Sequence, residues 1–488
     1  MTNLAHALRG ASWLGIFKLL SQILSWTGTI VVTRLLTSED YGVMEMATVF
    51  TGYITYFVEF GVGTALVNRK EVTREEQTSA FWCMAIWGLL LSSTCLLLAP
   101  ITATYFNEPR IDPLTRSVGL LFIFGSLSIV PRSILQKELR FKELGIIEML
   151  VTLASVIFSV VVAYLGGGAW TLIGSYIFRE FLSMCAYYIR SQFRPSFHFS
   201  WQEVAPFLHF GLPVVISSSL YYLYTKADRF FGGGVLGAEL LGFYAVALQL
   251  AAIPVEKIVT LIQGVLYPTL SRVKDEPEEF RKIYLCFISL ISLITFPIYV
   301  SGYLLADDLI VLVLGEKWAP SIPSFKLLLI GQLVMAISSP NSLVHFARGK
   351  PKWNMIFNLI ITPVMVVSFW YSSHLANLDK LALPWILVYP LLTGGYILIT
   401  NKEVQIKPLR YLNAFRHPFI ATSLVGMFLY LSGEWLSLQH IAQSLLTLGV
   451  LVVTSIIIYV VYFLTIGSAY TRYIKAVVQG QDEVDYFL

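Results

Sequence analysis

The chain has 488 residues, of which 56% are hydrophobic and 13% charged, with a formal net charge of +4. Soluble domains use roughly 25% charged residues, so this composition points to an integral membrane protein, and no nucleic-acid partner is expected. Apolar stretches of about 20 residues, each able to cross a hydrocarbon core of about 30 Å, consume nearly all of the length.

Met1–Arg9 is short and polar, and the apolar run after it continues past a signal-peptide core without a small-residue cleavage site. It reads as a retained first span. Five more follow it, giving 10–36, 42–66, 79–106, 114–135, 144–165 and 169–189. A polar linker, 190–203, precedes six others at 204–225, 240–263, 283–306, 322–344, 353–373 and 381–400. Spans at 418–435 and 441–466 bring the expected total to about fourteen, and the acidic end 481–488 is expected to fray.

Lys and Arg favour cytoplasmic loops. With the N-terminus inside, 23 of them fall on the cytoplasmic side against 7 outside, so both termini are expected in the cytoplasm. Arg34-Leu-Leu-Thr-Ser-Glu-Asp-Tyr-Gly42 returns 200 positions later as Gly234-Val-Leu-Gly-Ala-Glu-Leu-Leu-Gly242, and Ala47 returns as Ala247. Each copy falls between two apolar runs and reads as an external turn. Six spans separate the copies, so the halves enter from the same side and form a parallel repeat about an axis along the membrane normal.

The expected architecture is therefore an all-α integral membrane protein with two six-helix lobes. Residues 1–189 form one lobe, 190–203 a cytoplasmic linker, 204–402 the second lobe, and 403–488 two appended helices with a tail.

Several spans carry polar residues at helical spacing. Lys18, Ser21, Gln22, Ser25 and Thr29 share one face of the first, and Glu45, Thr48, Gly52, Thr55 and Glu59 one face of the second. Gln249, Glu256, Thr260 and Gln263 repeat the pattern in the eighth, with Lys257 beside Glu256; Thr171, Ser175 and Arg179 do so in the sixth, beside Glu180. A charge within a span costs about 3 kcal/mol on insertion scales, so Lys18, Glu59, Arg179 and Glu256 point to a wet cavity. The hydroxyls are equally compatible with ordinary helix packing.

Lys18, Gln22, Arg179, Lys257, Gln249 and Gln263 are the candidate substrate-binding side chains. Glu45, Glu59 and Glu256 are candidates for ion coupling or for pairing with those cations. Lys226, Asp228 and Arg229 stand at the external cavity mouth, where long side chains also snorkel.

Enzymatic chemistry finds little footing. Asp307 and Asp308 are adjacent but lack an accompanying extramembrane domain, and no phosphate-cradling loop is present. Cys83, Cys95, Cys185 and Cys286 lie in apolar runs and read as packing thiols. No resident cofactor or metal is expected, and transport energy is left to a proton or sodium gradient or to the substrate.

The segment Thr33-Arg-Leu-Leu-Thr-Ser-Glu-Asp-Tyr-Gly42 resembles the first-loop signature of bacterial polysaccharide-export flippases. These form the Wzx-type branch of the multidrug/oligosaccharidyl-lipid/polysaccharide superfamily. Gln136-Lys-Glu-Leu-Arg-Phe141, Leu266-Tyr-Pro-Thr-Leu270 and Gly315-Glu-Lys-Trp318 are similar to colanic-acid and teichuronic-acid exporters within that branch.

The resemblance implies a MATE-like fold in the bacterial inner membrane, with a cavity lined by helices one, two, seven and eight. It implies an undecaprenyl-diphosphate-linked oligosaccharide as cargo, moved by alternating access. It also implies the bilayer and polysaccharide polymerase and co-polymerase machinery as partners. A multidrug or cation antiporter of the same fold, and a membrane glycan polymerase, are the alternative readings.

Overall fold

A computed structural model describes residues 2–58, 62–69, 72–438 and 444–474 apart from 469 and 473; over 2–16, 205–218 and a few further helical positions it describes backbone alone. Glu59 and the acidic end 481–488 lie outside the described residues. Every regular element among the described residues is helical.

The first compact unit, Met1–Gly242, contains α1 (Thr2–Leu35), α2 (Ser38–Val58), the short α3 (Val62–Asn68), α4 (Arg74–Phe106), α5 (Ile111–Lys137), α6 (Phe141–Tyr164), α7 (Ala169–Ser191) and most of α8 (Trp201–Pro254). The second, Phe243–Leu488, takes the end of α8, a π-helical turn at Val255–Val259, α9 (Thr260–Arg272), α10 (Pro277–Leu304) and α11 (Ala306–Leu309). It continues through α12 (Ile322–Ser338), α13 (Pro340–Ala347), α14 (Lys352–Ser373), α15 (Leu378–Leu381), α16 (Leu383–Glu403), α17 (Pro408–Asn413), α18 (Arg416–Leu438) and α19 (Leu445–Leu464). The units thus divide inside α8, and residues 190–203 belong to the first.

Ten helical stretches among the described residues are long and apolar enough to cross a membrane. The helices α2 and α7 are not among these ten: Glu39, Asp40 and Glu45 on α2, and Arg179, Glu180 and Arg190 on α7, lower their hydropathy. On α4, Ile86, Leu89, Leu90, Leu97 and Ile101 are exposed along one helical face. In a membrane protein that stripe faces lipid tails.

The ends of these helices follow from their capping residues. Before α2, the Thr37 amide and hydroxyl donate to Asp40 Oδ2 at 2.9 and 2.7 Å, and the Asp40 amide donates to Thr37 Oγ1 at 3.2 Å. That reciprocal box satisfies amides that a helix start leaves without partners. Thr73 and Glu76 build the same box at the start of α4.

In the second copy of the repeat no such box is available. Gly237, which corresponds to Thr37, takes φ 79° and breaks α8 there, a conformation that glycine adopts without a Cβ clash.

The two copies of the turn meet each other within the first unit. A Cβ on Gly42 would lie 1.7 Å from the Ala238 carbonyl oxygen, and one on Gly242 would lie 1.7 Å from the Ser38 carbonyl oxygen. With a 200-residue offset these are one contact seen from both sides, the reciprocity that a two-fold relation produces. Ser38 with Gly42, and Ala238 with Gly242, are small residues four apart, the spacing that lets membrane helices approach backbone to backbone.

Around the crossing, Val43, Met46, Ala47, Ile111, Leu114, Phe122, Ile173 and Leu241 form one buried cluster. In the second unit, Phe280, Tyr284, Val344, Tyr411, Phe463 and Tyr470 share a cluster, so α19 and the segment after it pack on the same core as α10. Tyr459 on α19 donates to the Leu293 carbonyl at 2.7 Å, satisfying within protein a carbonyl that lipid could not.

Candidate functional site

The first unit contains a partly open cavity of about 570 Å³ lined by side chains of α2, α3, α5, α6 and α7. On α5 the lining residues Gly125, Ser128, Ile129, Arg132, Ser133 and Gln136 follow one helical face. On α7 they are Arg179, Glu180, Ser183 and Tyr187; α2 adds Thr55 and α6 adds Glu148. Two arginines and two glutamates thus face one space, and the Tyr187 phenol feels the field of all four.

Arg179 is the one binding candidate from the sequence that this cavity takes in. Arg132, Gln136, Glu148 and Glu180 join it. Arg132 counts toward the cytoplasmic positive charge when read by position alone. The signal for its cavity role is the three-and-four spacing from Ser128 through Gln136.

A second charged group forms where the middle of α8 packs on α2. Arg229 Nε lies 3.2 Å from Glu45 Oε2, with both side chains largely shielded. Lys226 adds a second positive charge near Glu45, and the buried Asp228 accepts from the Arg229 amide at 2.7 Å. Glu45 therefore takes the paired form open to it. Tyr222 fixes the same interface by donating to the Val49 carbonyl at 2.7 Å.

The remaining candidates are spread out. Lys18 is exposed and Gln22 half-buried on α1. The neighbouring hydroxyls of Ser21 and Thr29 donate to their own helix, to the Phe17 and Ser25 carbonyls at 2.8 and 2.9 Å. In the second unit Gln249, Glu256 and Lys257 are exposed and Gln263 is half-buried. Glu256 and Lys257 occupy the π-helical turn Val255–Val259, where Thr260 Oγ1 donates five residues back to Val255 at 3.2 Å. Such a turn holds one extra residue, so Gln263 is displaced from the face a continuous α-helix would give it.

Beyond the spans, Glu39 pairs with Arg110, which also holds Glu108 at 2.8 Å. The hydrogen bond from Arg110 holds Glu108 below the usual carboxylate range, and the two glutamates hold the guanidinium protonated. Glu39 thus fastens the first hairpin to the α4–α5 turn. Asp307 similarly pairs with Lys326 at 2.6 Å. Among the described residues no group of three or more His, Cys, Asp or Glu side chains could hold a metal ion.

Residues 31–323 match the family described as polysaccharide biosynthesis protein. The chain belongs to that family. It is 27% identical over 403 residues to the lipopolysaccharide biosynthesis protein WzxC of Escherichia coli, covering 82% of this chain and 81% of that one. It is 22% identical to the teichuronic acid biosynthesis protein TuaB of Bacillus subtilis, over 90% of each. Among solved structures, the lipid II flippase MurJ in an inward closed conformation superposes with a TM-score of 0.72 at 14% identity, covering 94% of this chain and 98% of that one. At that identity the likeness establishes the fold alone.

Proposed function

We propose that this protein is a flippase that moves an undecaprenyl-diphosphate-linked oligosaccharide from the cytoplasmic to the external leaflet of the bacterial inner membrane, with both termini in the cytoplasm. The observation that carries this reading is the family match over residues 31–323 on a fold shared with a lipid flippase. The polar cavity supports it. Arg132 and Arg179 offer planar donors suited to phosphate, while Ser128, Ser133, Gln136 and Ser183 offer hydrogen bonds to sugar hydroxyls. A space of about 570 Å³ is of the size that holds a compact polar ligand, and the polyprenyl tail can remain in lipid.

Transport without nucleotide hydrolysis requires a gradient or substrate energy, and a proton or sodium gradient is the source favoured by the carboxylates on the polar faces. Polymerase and co-polymerase machinery would receive the translocated unit.

The test is reconstitution into vesicles with a labelled polyprenyl-diphosphate oligosaccharide, following its exposure on the opposite leaflet. Translocation above protein-free vesicles for at least one glycan is expected. None for any of several glycans, with or without an imposed proton or sodium gradient, would overturn the reading.

A further inference from the structure

The second unit holds a buried group of titratable side chains separate from every residue assigned above. His345 on α13 is fully buried. Its Nε2 lies 3.0 Å from Thr400 Oγ1 and its Nδ1 3.3 Å from Glu403 Oε2, both on α16. Lys350, in the turn after α13, places Nζ 3.0 Å from the other oxygen, Glu403 Oε1.

The hydrogen-bond inventory fixes the imidazole. The Thr400 hydroxyl already donates to the Tyr396 carbonyl at 2.9 Å, so toward His345 it can only accept, and Nε2 must be the donor. In a neutral imidazole Nδ1 would then turn a lone pair toward a carboxylate oxygen. That arrangement is repulsive in a site shielded from water. One proton belongs in the contact, on Nδ1 as an imidazolium facing a carboxylate or on Oε2 as a neutral pair. The contact falls short of full hydrogen-bond alignment, as fits a pair held mainly by charge.

The charged groups bearing on His345 are Glu403 and Lys350. From α16 the Tyr396 ring lies 5.3 Å from the imidazole, and from α14 the Trp353 ring lies 6.4 Å away. From α10, Tyr284 donates to Asn341 Oδ1 on α13 at 2.8 Å. The Lys350 side chain is 54% exposed against 11% for Glu403, so the lysine marks the route to solvent.

We propose that His345 and Glu403 together form a binding site for one exchangeable proton, which enters and leaves past Lys350. The proton comes from bulk water, raises the charge of the pair by one and returns to bulk water on release. Its loss sets the Nδ1 lone pair against the carboxylate and pushes α13 from α16. As the site of a coupling proton it rests on the flippase reading; as a proton site it does not.

Thermal unfolding of the full-length protein in detergent between about pH 5 and 9, the window in which histidine responds, separates the two. The comparison is wild type against His345→Gln with Glu403→Gln, which removes both partners and strands no buried charge. The difference in Tm is expected to trace a single-proton step, and Lys350→Gln to move the wild-type step to higher pH by removing a cation that competes with the proton. A flat difference, or no displacement in the lysine variant, overturns the proton site.

In vesicles carrying labelled polyprenyl-diphosphate oligosaccharide, an imposed pH gradient is expected to accelerate wild-type translocation and to leave the double variant unaffected. An equal response in both overturns the coupling role. A proton step in Tm without translocation by wild type under any gradient upholds the site and overturns the flippase reading instead.

Discussion

Replacing Gly42 or Gly242 with alanine tests the reciprocal crossing most directly. The added Cβ would stand 1.7 Å from a backbone oxygen in either case, whereas close carbon–oxygen contacts between helices lie at about 3.3–3.6 Å. The two backbones must therefore part by roughly 1.7 Å, since neither a carbonyl nor a helix start can rotate aside. Overpacking of this kind costs about 1–3 kcal/mol, seen as a lower Tm in detergent.

The reciprocity adds a sharper expectation. One separation relieves both clashes, so the double variant costs distinctly less than the sum of the single ones. With Cys83, Cys95, Cys185 and Cys286 replaced, a cysteine at position 38 should react faster with a water-soluble maleimide in either alanine variant. Unchanged Tm and labelling in both single variants, or strict additivity in the double, would refute the crossing as one shared contact.

Three further expectations come from the site and its surroundings. Arg132→Ala and Arg179→Ala should each reduce glycan translocation about tenfold or more in the vesicle assay, since a hydrogen bond to a charged group contributes about 1.5–3 kcal/mol, while Tm changes little. Glu45→Gln removes the carboxylate that Arg229 faces and should destabilise the protein by about 1–3 kcal/mol, with Arg229→Gln added in the same chain recovering part of it in thermal unfolding. The Ser79 hydroxyl bond, and His198 more weakly, hold Glu203 below the usual carboxylate range against the opposing effect of burial. The ionised form is thus favoured by folding, and its contribution is present above the ordinary glutamate value of about 4.3 and lost as pH falls through the lowered value. Acidification should free residues 192–200 from α4, read as a change in the fluorescence of Trp82, which stacks on Phe197; Glu203→Gln should abolish that pH dependence.

The repeat was legible in the sequence because both copies obey one steric constraint. Gly42 and Gly242 must both be glycine to let the same two backbones meet, and so the offset survives although the turns close differently, by a capping box at Thr37 and by a left-handed glycine at position 237. The polar faces were legible as periodicities, and through Arg179 they led to the cavity. Arg132 and Glu148 were harder to find, because the first lies among the cationic residues that orient the chain and the second is a single charge on a face whose other polar residues, Thr152, Ser155 and Ser159, are hydroxyls. His345 and Glu403 are 58 positions apart and share no spacing; only the packing of α13 on α16 brings them together. The π-helical turn at Val255–Val259 has no sequence signature, so a stripe drawn on α-helical geometry runs straight through it.

The balance of charge in the cavity bears on the kind of site it is. Arg132 and Arg179 share the cavity lining with Glu148 and Glu180, so without a ligand the site is close to neutral, and both arginines are exposed to solvent. A diphosphate entering such a site must compete with the carboxylates for the guanidinium groups. Its gain is the difference between two sets of charge-assisted hydrogen bonds rather than the full strength of one. A purely cationic cavity would bind the diphosphate more tightly and release it more slowly. A transporter must take its cargo up on one side and let it go on the other, and uniform tight binding would lower the concentration needed for uptake without speeding the cycle. Arginines balanced by carboxylates in the same lining therefore suit a site through which an anionic lipid passes better than one in which it is stored.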